Sequence, residues 1–550
     1  MRKLGTALAV SVILVCAPIG LAACGGGGGG GGGGGKKGGT IKIGTVGPDK
    51  YDPALFQTVQ GESALQLVYT TLVTYKDSPT SQTGNLIPGV AQSMPKYSNG
   101  NKTLTLTVRK GLKYSDGEPV KASDFKHSVM RTLKLAGPFS SLYAGVVGAA
   151  AFQKKGSGDI PGIVTNDKTG TIKITLTSPD TKFPYALAEP AVAPMPAAKA
   201  PFKPMNKTPP PGVSRYTLKV VNPSAQYILT KNPKFNIPGM AKGNVDKIIG
   251  VVSNDVPKMA QDVISGKLDY MTEDPTGDLL PTIEQKYKDR FRLDANPPNT
   301  YYFFMNVTIP PFNKPQARQA VNYAIDSRAL VRIFGGRLAP GCNFLPPAMP
   351  GYQKQSCPYG DPNGPGNVAK AKSLVKSSGT AGQKVTVWTN TKAPRPAIGD
   401  YLRSTLNSIG YKASLKTLNQ DVYFDLIGRK SSKAQIGFDD WFQDFPNPAD
   451  FFQNLLTAEA LTSTPTFNNG FVNDPDVNKK VAKLSKVVDP KKVASQWAAL
   501  DREVTNPPKS YVAPYGHEKA STFMSERMNF KDCAGVHNVY RNDWAVFCLK

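Results

Sequence analysis

Aromatic side chains and carboxylates lie close together in one stretch, Gly437 to Leu456, which reads GFDDWFQDFPNPADFFQNLL. Pro446 and Pro448 exclude a continuous helix here, so we expect the end of a strand, a loop, and a helix that has Asp450 as its cap. Loops that carry Trp and Asp on a rigid scaffold can recognise small molecules. The alternative is an aromatic core with solvated acids, and the stretch alone does not decide between the two.

Residue patterns typical of enzymes are scarce in this sequence. Three histidines are present, His127, His517 and His537, and His127 lies on a predicted helix. The sequence contains no Gly-x-Ser-x-Gly elbow, no His-Glu-x-x-His helix and no phosphate-binding loop. Carboxylates are plentiful, but a sequence cannot show whether two of them lie at a working distance. We predict that the protein is not an enzyme, and a secreted hydrolase remains the alternative.

The N-terminus predicts export. Arg2 and Lys3 precede a mostly apolar segment, Leu4 to Ile19, that is short for a membrane span. Leu21-Ala22-Ala23-Cys24 then resembles the lipobox of bacterial lipoproteins. We therefore expect residues 1–23 to be a signal peptide and Cys24 to be lipidated, with an ordinary signal peptide as the alternative.

A glycine run, Gly25 to Gly35, follows Cys24 directly. Polyglycine does not order by itself, so we interpret residues 24–39 as a lipidated cysteine and a flexible tether. This predicts a globular body held at the extracytoplasmic face of the cell membrane. No later stretch of the sequence is long and apolar enough to span a bilayer.

Composition favours a large folded body with a basic surface. The chain has 550 residues, of which 40% are hydrophobic, so it can bury cores in more than one lobe. The formal net charge is +27. Lysines are spread along the whole length and no nucleic-acid motif accompanies them, which indicates a solvated surface and no nucleic-acid partner.

Four cysteines follow the signal region: Cys342, Cys357, Cys533 and Cys548. An even number of cysteines in an exported chain predicts disulfides. Four cysteines allow three connectivities, and the two near pairs, 342 with 357 and 533 with 548, close the shortest loops. Each such loop would stabilise the fold by about 3 kcal/mol.

A metal site is the competing interpretation of the cysteines near the C-terminus. Cys533 and Cys548 could join His517 and His537, but this spacing matches no common zinc pattern. We therefore expect no metal and no cofactor.

Hydrophobic periodicity predicts several elements. Alternation predicts strands over Thr40–Thr45 and Thr171–Thr177, and helical spacing predicts a helix over Ser63–Tyr75 with Ser63 as cap and another over Ser123–Leu133. A β-α-β unit is predicted between Val385 and Leu418.

Several runs together resemble one protein family. The first three are Ile87 to Ser93 (IPGVAQS), Thr105 to Val120 (TLTVRKGLKYSDGEPV) and Ala122 to Phe125 (ASDF), and a fourth is Arg318 to Asp326 (RQAVNYAID). The sequence is similar to the peptide/nickel-type (family 5) extracytoplasmic solute-binding proteins of ABC importers, and most similar in motif to the oligopeptide- and dipeptide-binding lipoproteins. The resemblance spans nearly all of residues 40–530.

The resemblance implies an α/β fold with two lobes, of the periplasmic-binding-protein type II kind, and an extra small domain inserted in the first lobe. Two lobes joined by crossing strands close on a ligand by hinge motion. The implied domains are a first lobe of residues 40–75, 207–298 and 510–550, an inserted subdomain of residues 76–206, and a second lobe of residues 299–509.

The resemblance also implies a ligand anchor in the stretch described first. In peptide-binding members, a Trp-x-x-Asp loop supplies the acid that pairs with the α-ammonium of the ligand. Trp441-Phe442-Gln443-Asp444 has that spacing. We therefore expect Asp444 to bind the amine, with Trp441 as an apolar wall and Phe442 as a further contact. A helix cap or a surface acid is the alternative for Asp444.

Other contacts are implied less directly. Val59, Gln60 and Gly61 fall where the family binds an extended ligand through backbone hydrogen bonds. Three more residues complete the predicted site: Tyr302, Asn306 and, for a C-terminal carboxylate, Arg395.

The implied function is capture of small peptides between the lobes and their delivery to an ABC transporter permease. We expect a monomer that meets the membrane through its lipid anchor. A receptor for a nickel chelate, a sugar or an opine-like compound is the alternative, since the family includes these.

Overall fold

Mixed strands and helices make up the protein, which we describe from a computed structural model over residues 35–550 apart from residues 57, 79–83, 181, 277, 463–464, 488 and 538. The strands are β1 Thr40–Thr45, β2 Val73–Tyr75, β3 Leu86–Pro88, β4 Lys96–Ser98, β5 Thr103–Thr107, β6 Ile163–Asn166, β7 Thr171–Thr175, β8 Tyr216–Asn222, β9 Gln226–Lys231, β10 Lys247–Val252, β11 Tyr270–Met271, β12 Phe291–Leu293, β13 Asn299–Met305, β14 Leu338–Pro340, β15 Lys384–Asn390, β16 Lys412–Leu418, β17 Ile436–Phe442, β18 Val512–Glu518, β19 Ser521–Phe523, β20 Val536–His537 and β21 Arg541–Asn542. The α-helices are α1 Val59–Leu65, α2 Ala122–Lys134, α3 Ala149–Lys155, α4 Phe183–Ala186, α5 Val256–Ile264, α6 Leu280–Lys286, α7 Pro315–Ala324, α8 Ser327–Ile333, α9 Val368–Ser377, α10 Arg395–Ser408, α11 Gln420–Ile427, α12 Ala449–Leu456, α13 Pro475–Leu484, α14 Ala494–Thr505 and α15 Phe530–Cys533. The predicted signal peptide and Cys24 lie outside the described residues.

A five-stranded sheet in the order β11-β1-β10-β9-β8 forms the first lobe. Strand β1 runs parallel to both of its neighbours, whereas β9 is antiparallel to β10. Ile41 and Ile43 are fully buried and Lys42 between them is exposed, as alternation in a half-buried strand requires. The strand predicted over Thr40–Thr45 is therefore confirmed.

A six-stranded sheet in the order β14-β18-β13-β17-β15-β16 forms the second lobe. Its central strand β13 is buried at all seven positions, because the sheet is covered on both faces. Strands β15 and β16 are parallel and joined through α10, which confirms the predicted β-α-β unit. Strand β17 pairs antiparallel with β13 and parallel with β15, so the aromatic and acidic stretch begins inside this sheet.

A four-stranded antiparallel sheet, β4-β5-β7-β6, belongs to the subdomain inserted in the first lobe. Helix α2 packs on it with Phe125, Val129 and Leu133 buried at the predicted spacing. The two-lobed α/β fold with an inserted small domain is thus as predicted.

Two segments cross between the lobes side by side. The backbone N–H of Asp294 donates to the carbonyl of Ala520 at 2.8 Å, and the N–H of Glu518 donates to Oδ1 of Asn299 at 2.8 Å. Because β18 fills the place between β14 and β13, residues up to 518 lie in the second lobe. The predicted lobe boundary at residue 510 is wrong by this one strand.

The helix predicted over Ser63–Tyr75 is misplaced. Helix α1 ends at Leu65, and it begins after Thr58, whose hydroxyl oxygen accepts a hydrogen bond from the N–H of Gly61 at 3.2 Å. Leu67 and Leu72 are buried as predicted, but in a turn and loop that lead to β2. Tertiary contacts there replace the helical pattern that the spacing suggests.

Both near cysteine pairs form disulfides. Cys342 bonds Cys357 with the Cα atoms 5.8 Å apart, and Cys533 bonds Cys548 with the Cα atoms 5.6 Å apart. The predicted disulfides are confirmed, and of the three possible connectivities the structure has the one with the shortest loops. The alternative metal site is excluded because two of its four ligands are joined to each other.

The described residues show neither a metal cluster nor a membrane span. Within them, no group of three or more His, Cys, Asp or Glu residues could hold a metal ion. No helix in the described part of the chain is both long and apolar enough to cross a bilayer.

A buried ion pair joins the inserted subdomain to the first lobe. Arg131 of α2 donates from its two terminal nitrogens to the carboxylate oxygens of Asp52, at 2.7 and 2.6 Å, and both side chains are fully buried. Carbonyl oxygens of Pro201 and Lys203 accept the remaining hydrogen bonds of the guanidinium. Such geometry offsets the loss of hydration for both charges.

We expect Asp52→Asn to destabilise the protein by about 3–5 kcal/mol, because it leaves the Arg131 charge buried without a counter-ion. Urea denaturation followed by circular dichroism measures this. Asp400→Asn is the matched control, since Asp400 is 59% exposed and pairs only with the exposed Arg403, and it should change stability by about 0–1 kcal/mol. Equal denaturation midpoints for the two variants would contradict this account of the junction.

Candidate functional site

A cavity of about 370 Å³ lies where the two lobes, the inserted subdomain and the crossing segments meet. Its volume falls in the range of small-molecule sites, about 300–1,000 Å³. Residues distant in the sequence converge on its wall, among them Phe56, Glu62, Glu189, Asp444, Glu518 and Arg541.

The loop after β17 places Asp444 on this wall. The N–H of Gln443 donates to the carbonyl of Pro298 at 2.8 Å, which fixes the loop to a crossing segment. The N–H of Asp444 donates to Oδ2 of Asp450 at 2.9 Å. Asp450 was predicted to cap the next helix, but α12 begins at Ala449, so Asp450 lies in its first turn and holds the loop instead.

The Asp444 carboxylate faces the cavity without a partner. It forms no hydrogen bond or ion pair with any residue that the structure describes, and a water-sized molecule can reach it. Protein nevertheless surrounds the cavity on most sides, and this burial raises the pKa of Asp444 to about 6. At neutral pH the group is mostly an anion, and in the ligand-free protein it remains open to solvent.

The aromatic neighbours of Asp444 divide into two roles. Phe442 lines the cavity and 46% of it is exposed there. Trp441 lies outside the lining, because its ring packs edge-on against Phe467 with the centroids 5.1 Å apart. The predicted apolar wall is therefore formed by Phe442, and not by Trp441.

The segment after the Tyr51-Asp52-Pro53 turn reaches the cavity only in part. Val59 and Gln60 line it, and Nε2 of Gln60 donates to Glu273 at 2.9 Å. Gly61 lies away from it against Phe56 and Asp49. Because this segment is the first turn of α1, it cannot pair with a ligand as an added strand. The predicted backbone ladder at residues 59–61 is wrong for this reason.

Three other predicted contacts do not reach the cavity lining. The Tyr302 hydroxyl donates to Oδ2 of Asp439 at 2.9 Å inside the second lobe. Nδ2 of Asn306 donates to the Ala434 carbonyl at 3.0 Å, in a residue that is 1% exposed.

Arg395 is the third predicted contact that does not reach the cavity lining. Its Nη2 donates to Asp440 at 2.8 Å and its guanidinium lies 4.6 Å from the ring centroid of Phe438. All three side chains stabilise the second lobe.

Two carboxylates that the sequence did not single out share the cavity with Asp444. Glu62 comes from the first turn of α1, and Glu189 follows α4 in the inserted subdomain. Burial, together with repulsion from Asp444, raises the pKa of Glu62 to about 8. Burial, with repulsion from Glu62 and Asp444, also raises the pKa of Glu189. No sequence pattern relates these residues, since three separate units supply them.

The opposite end of the cavity is neutralised by the protein itself. Arg541 donates to Asp274 at 2.6 Å, and Arg337 contacts Asp274 at 2.9 Å and Glu518 at 2.8 Å. Burial alone would raise the pKa of Asp274, but Arg541 and Arg337 outweigh it and lower that pKa. The acids at this end are therefore paired with arginines, whereas those near Asp444 have no counter-ion among the described residues.

His537 contributes a neutral ring to the cavity wall. Its Nδ1 accepts from the N–H of Val539 at 3.2 Å, so Nε2 bears the proton, and burial lowers the pKa of the ring to about 3. Nε2 has no hydrogen-bond partner among the residues described. It is an unused donor buried beside the cavity.

Comparison with known families gives one match over most of the chain. The model described as bacterial extracellular solute-binding proteins, family 5 Middle, matches residues 85–462.

Curated relatives match at modest identity. The glutathione-binding protein GsiB of Escherichia coli K12 is 26% identical over 403 residues, which covers 72% of this chain and 73% of GsiB. The periplasmic murein peptide-binding protein MppA of the same organism is 27% identical over 424 residues, covering 74% and 75% of the two chains.

Solved structures share the fold. The clavulanic acid biosynthesis oligopeptide binding protein 2 superposes with a TM-score of 0.82 at 22% identity, covering 94% of this chain and 96% of that one. The periplasmic binding protein DppA from Helicobacter pylori, in complex with the peptide STSA, gives a TM-score of 0.73 at 20% identity, covering 94% and 98%.

The buried acids predict that the ligand-free protein loses stability as pH rises from about 5 to 8. Each group whose pKa is higher in the folded state than in the unfolded state stabilises the fold fully at low pH, and this contribution disappears as pH rises through the folded pKa. Glu62, with a pKa of about 8 against 4.5 when unperturbed, is such a group, and each unit corresponds to about 1.4 kcal/mol. Melting temperatures measured across this pH range test the trend.

The matched variants are Glu62→Gln and, as control, Glu284→Gln on the exposed face of α6. Glu62→Gln should stabilise the protein by about 1–3 kcal/mol at pH 8, allowing for its partial exposure, and change little at pH 5. Part of the wild-type slope should persist, because burial also raises the pKa of Asp439 to about 7 and of Asp543 to about 8. A gain for Glu62→Gln that is equal at both pH values would refute this assignment.

Proposed function

Because the chain belongs to the bacterial extracellular solute-binding proteins of family 5, which are not enzymes, we propose that it captures peptides between its lobes for an ABC importer. It binds the α-ammonium of a peptide through Asp444 and passes the peptide to the membrane permease. The observation that carries this proposal is the unpartnered Asp444 carboxylate on the cavity wall.

An ammonium group suits Asp444 better than a neutral ligand does. Desolvation has already weakened its interaction with water, so a donor with a full positive charge forms a short and strong hydrogen bond. The names of MppA and of the DppA complex state that those proteins bind peptides, and this supports a peptide ligand here.

Lobe closure fits the two crossing segments. They pair through backbone and Asn299 hydrogen bonds beside the cavity, which is the arrangement of a hinge. Closure removes the ligand from water, so each of its charges needs a partner inside. Lys392 lines the cavity and forms no ion pair within the described chain, and it replaces Arg395 as our candidate for the terminal carboxylate.

We expect Asp444→Asn to weaken binding of short peptides by about 10²–10³-fold without unfolding the protein. Loss of one partner of a desolvated ion pair costs about 3–5 kcal/mol. Isothermal titration calorimetry with di- to pentapeptides measures the change, and circular dichroism checks the fold.

Asp400→Asn on the exposed face of α10 is the control and should bind as wild type does. N-acetylated peptides should bind the wild type as poorly as free peptides bind Asp444→Asn. Equal affinity for free and acetylated peptides would reject the amine anchor. Binding of sugars or nickel chelates in place of every peptide would reject the peptide ligand.

We also propose that two or more acyl chains on Cys24 hold the protein at the outer face of the cell membrane. One short acyl chain binds a bilayer only marginally, whereas additional chains anchor a protein stably. The sequence Leu21-Ala22-Ala23-Cys24 and the glycine run after it support this.

Cys24→Ala should move the protein from the membrane fraction to the soluble fraction and abolish labelling by an alkyne analogue of palmitate. Cys16→Ala, which changes a cysteine inside the apolar segment of the signal region, is the matched control and should remain membrane-bound and labelled. Membrane retention of unlabelled Cys24→Ala protein would contradict lipid anchoring at this residue.

A further inference from the structure

One end of the cavity holds more carboxyl groups than a single ammonium group can pair with. Asp444, Glu62 and Glu189 line the same cavity, and each comes from a different unit of the fold. Asp444 is close enough to raise the pKa of both glutamates. Neither Lys, Arg nor His lies within ion-pair distance of any of the three, as far as the described residues go. This is unusual in a chain whose formal net charge is +27.

Acidic side chains also outnumber basic ones over the whole cavity wall. Six carboxylates line it: Glu62, Glu189, Asp274, Asp294, Asp444 and Glu518. Lys392 and Arg541 are the basic side chains on the same wall, and Arg541 is already bonded to Asp274. The acids on this wall therefore outnumber its basic side chains, of which Lys392 alone is not already paired among the lining residues described.

Buried polar atoms at this end are also left without partners. Glu189 is 4% exposed, and its Oε2 has no hydrogen-bond partner in the described chain. Nε2 of His537 lacks one as well, in a residue that is 1% exposed and belongs to the lining of the same cavity. Leaving such atoms unsatisfied is costly, so native structures normally supply a partner, from the protein or from a ligand.

Protonation of the two glutamates would remove the charge but would not satisfy these atoms. A protonated carboxyl still needs an acceptor for its proton and a donor for its other oxygen. The Tyr75 hydroxyl, which is close enough to Glu189 for its own pKa to respond, has no partner either among the described residues. A ligand with several N–H donors satisfies the glutamate oxygens and the Tyr75 oxygen, and an acceptor beside them would pair with Nε2–H of His537.

Resting on the proposed function, we propose that the preferred peptides begin with a residue whose side chain is positively charged, Lys or Arg. The α-ammonium binds Asp444, and the side-chain cation binds Glu62 and Glu189. Both cations of such a residue leave one Cα, so they reach acids that lie on neighbouring walls of one cavity.

The apolar part of the wall suits the stem of such a side chain. Phe56 and Phe139 lie together with ring centroids 4.9 Å apart, and both line the cavity with Val59 and Phe442. The methylene groups of Lys and Arg pack on surfaces of this kind while the charged end reaches a polar group.

Calorimetry with matched tripeptides tests the proposal on the full-length wild-type protein. The peptides are Lys-Ala-Ala and Arg-Ala-Ala, their neutral counterparts that begin with norleucine and citrulline, and Ala-Ala-Lys, which has the same charge at the other end. We expect Lys-Ala-Ala and Arg-Ala-Ala to bind at least about 10-fold more tightly than the three other peptides.

The variants Glu62→Gln and Glu189→Gln should each reduce this ratio, and the double variant should bring it close to one. The control Glu284→Gln should keep the wild-type ratio. Both substitutions keep the side-chain shape and remove the carboxyl group that would ionise against the bound cation, and circular dichroism confirms that the variants fold.

Two results overturn the proposal while leaving the peptide-binding function intact. One is equal wild-type affinity for Lys and norleucine peptides, with N-acetylation still abolishing binding. The other is a Lys preference that survives in the double variant. Failure of every peptide to bind would overturn this proposal together with the proposed function.

Discussion

Desolvation of carboxylates that lack a counter-ion is the constraint on which this molecule's binding chemistry depends. A buried acid must be paired, hydrogen-bonded or protonated, and each solution is visible at a different place. Asp52 is paired with Arg131, Asp274 is shared between two arginines, and Glu62 and Glu189 retain their protons to higher pH. The acids at one end of the interlobe cavity are left for an external cation.

In the stretch from Gly437 to Leu456, four acids within twelve residues have different partners and different roles. Asp439 accepts from Tyr302 and Asn469 at 2.9 and 2.8 Å, and Asp440 pairs with Arg395. Asp450 accepts from the backbone of Asp444. These bonds build the loop, and Asp444 is the acid that they present to the cavity. The structural and the functional interpretations of this stretch are therefore both right, for different residues.

The hydrophobic periodicity of the sequence predicted the elements that bury one face in a core. β1, α2 and the β15-α10-β16 unit alternate or repeat with one face in a core, so the sequence carries their period. The even number of cysteines predicted disulfides, whereas their connectivity comes from the folded chain. α1 was misplaced, because Thr58 is the cap and the apolar residues after Leu65 are buried by contacts from distant segments.

The candidate site was predictable only where it is continuous in the sequence. Asp444 and Phe442 belong to one recognisable loop, whereas Glu62, Glu189 and His537 reach the cavity from three places that only the folded chain brings together. Tyr302, Asn306 and Arg395 have side chains suited to binding, but pairing within the second lobe consumes their polar groups. Side-chain type alone does not reveal such internal pairing.

Residues 533–548 return to the first lobe after β18 and β19, and their disulfide holds His537 and Arg541 on the cavity wall. Synthesis proceeds from the N-terminus, and domains fold as their residues emerge. Neither lobe can therefore offer a finished receptor while this closing segment is still on the ribosome. The ligand site is therefore the last part of the molecule to be completed, because its wall needs residues from both ends of the chain.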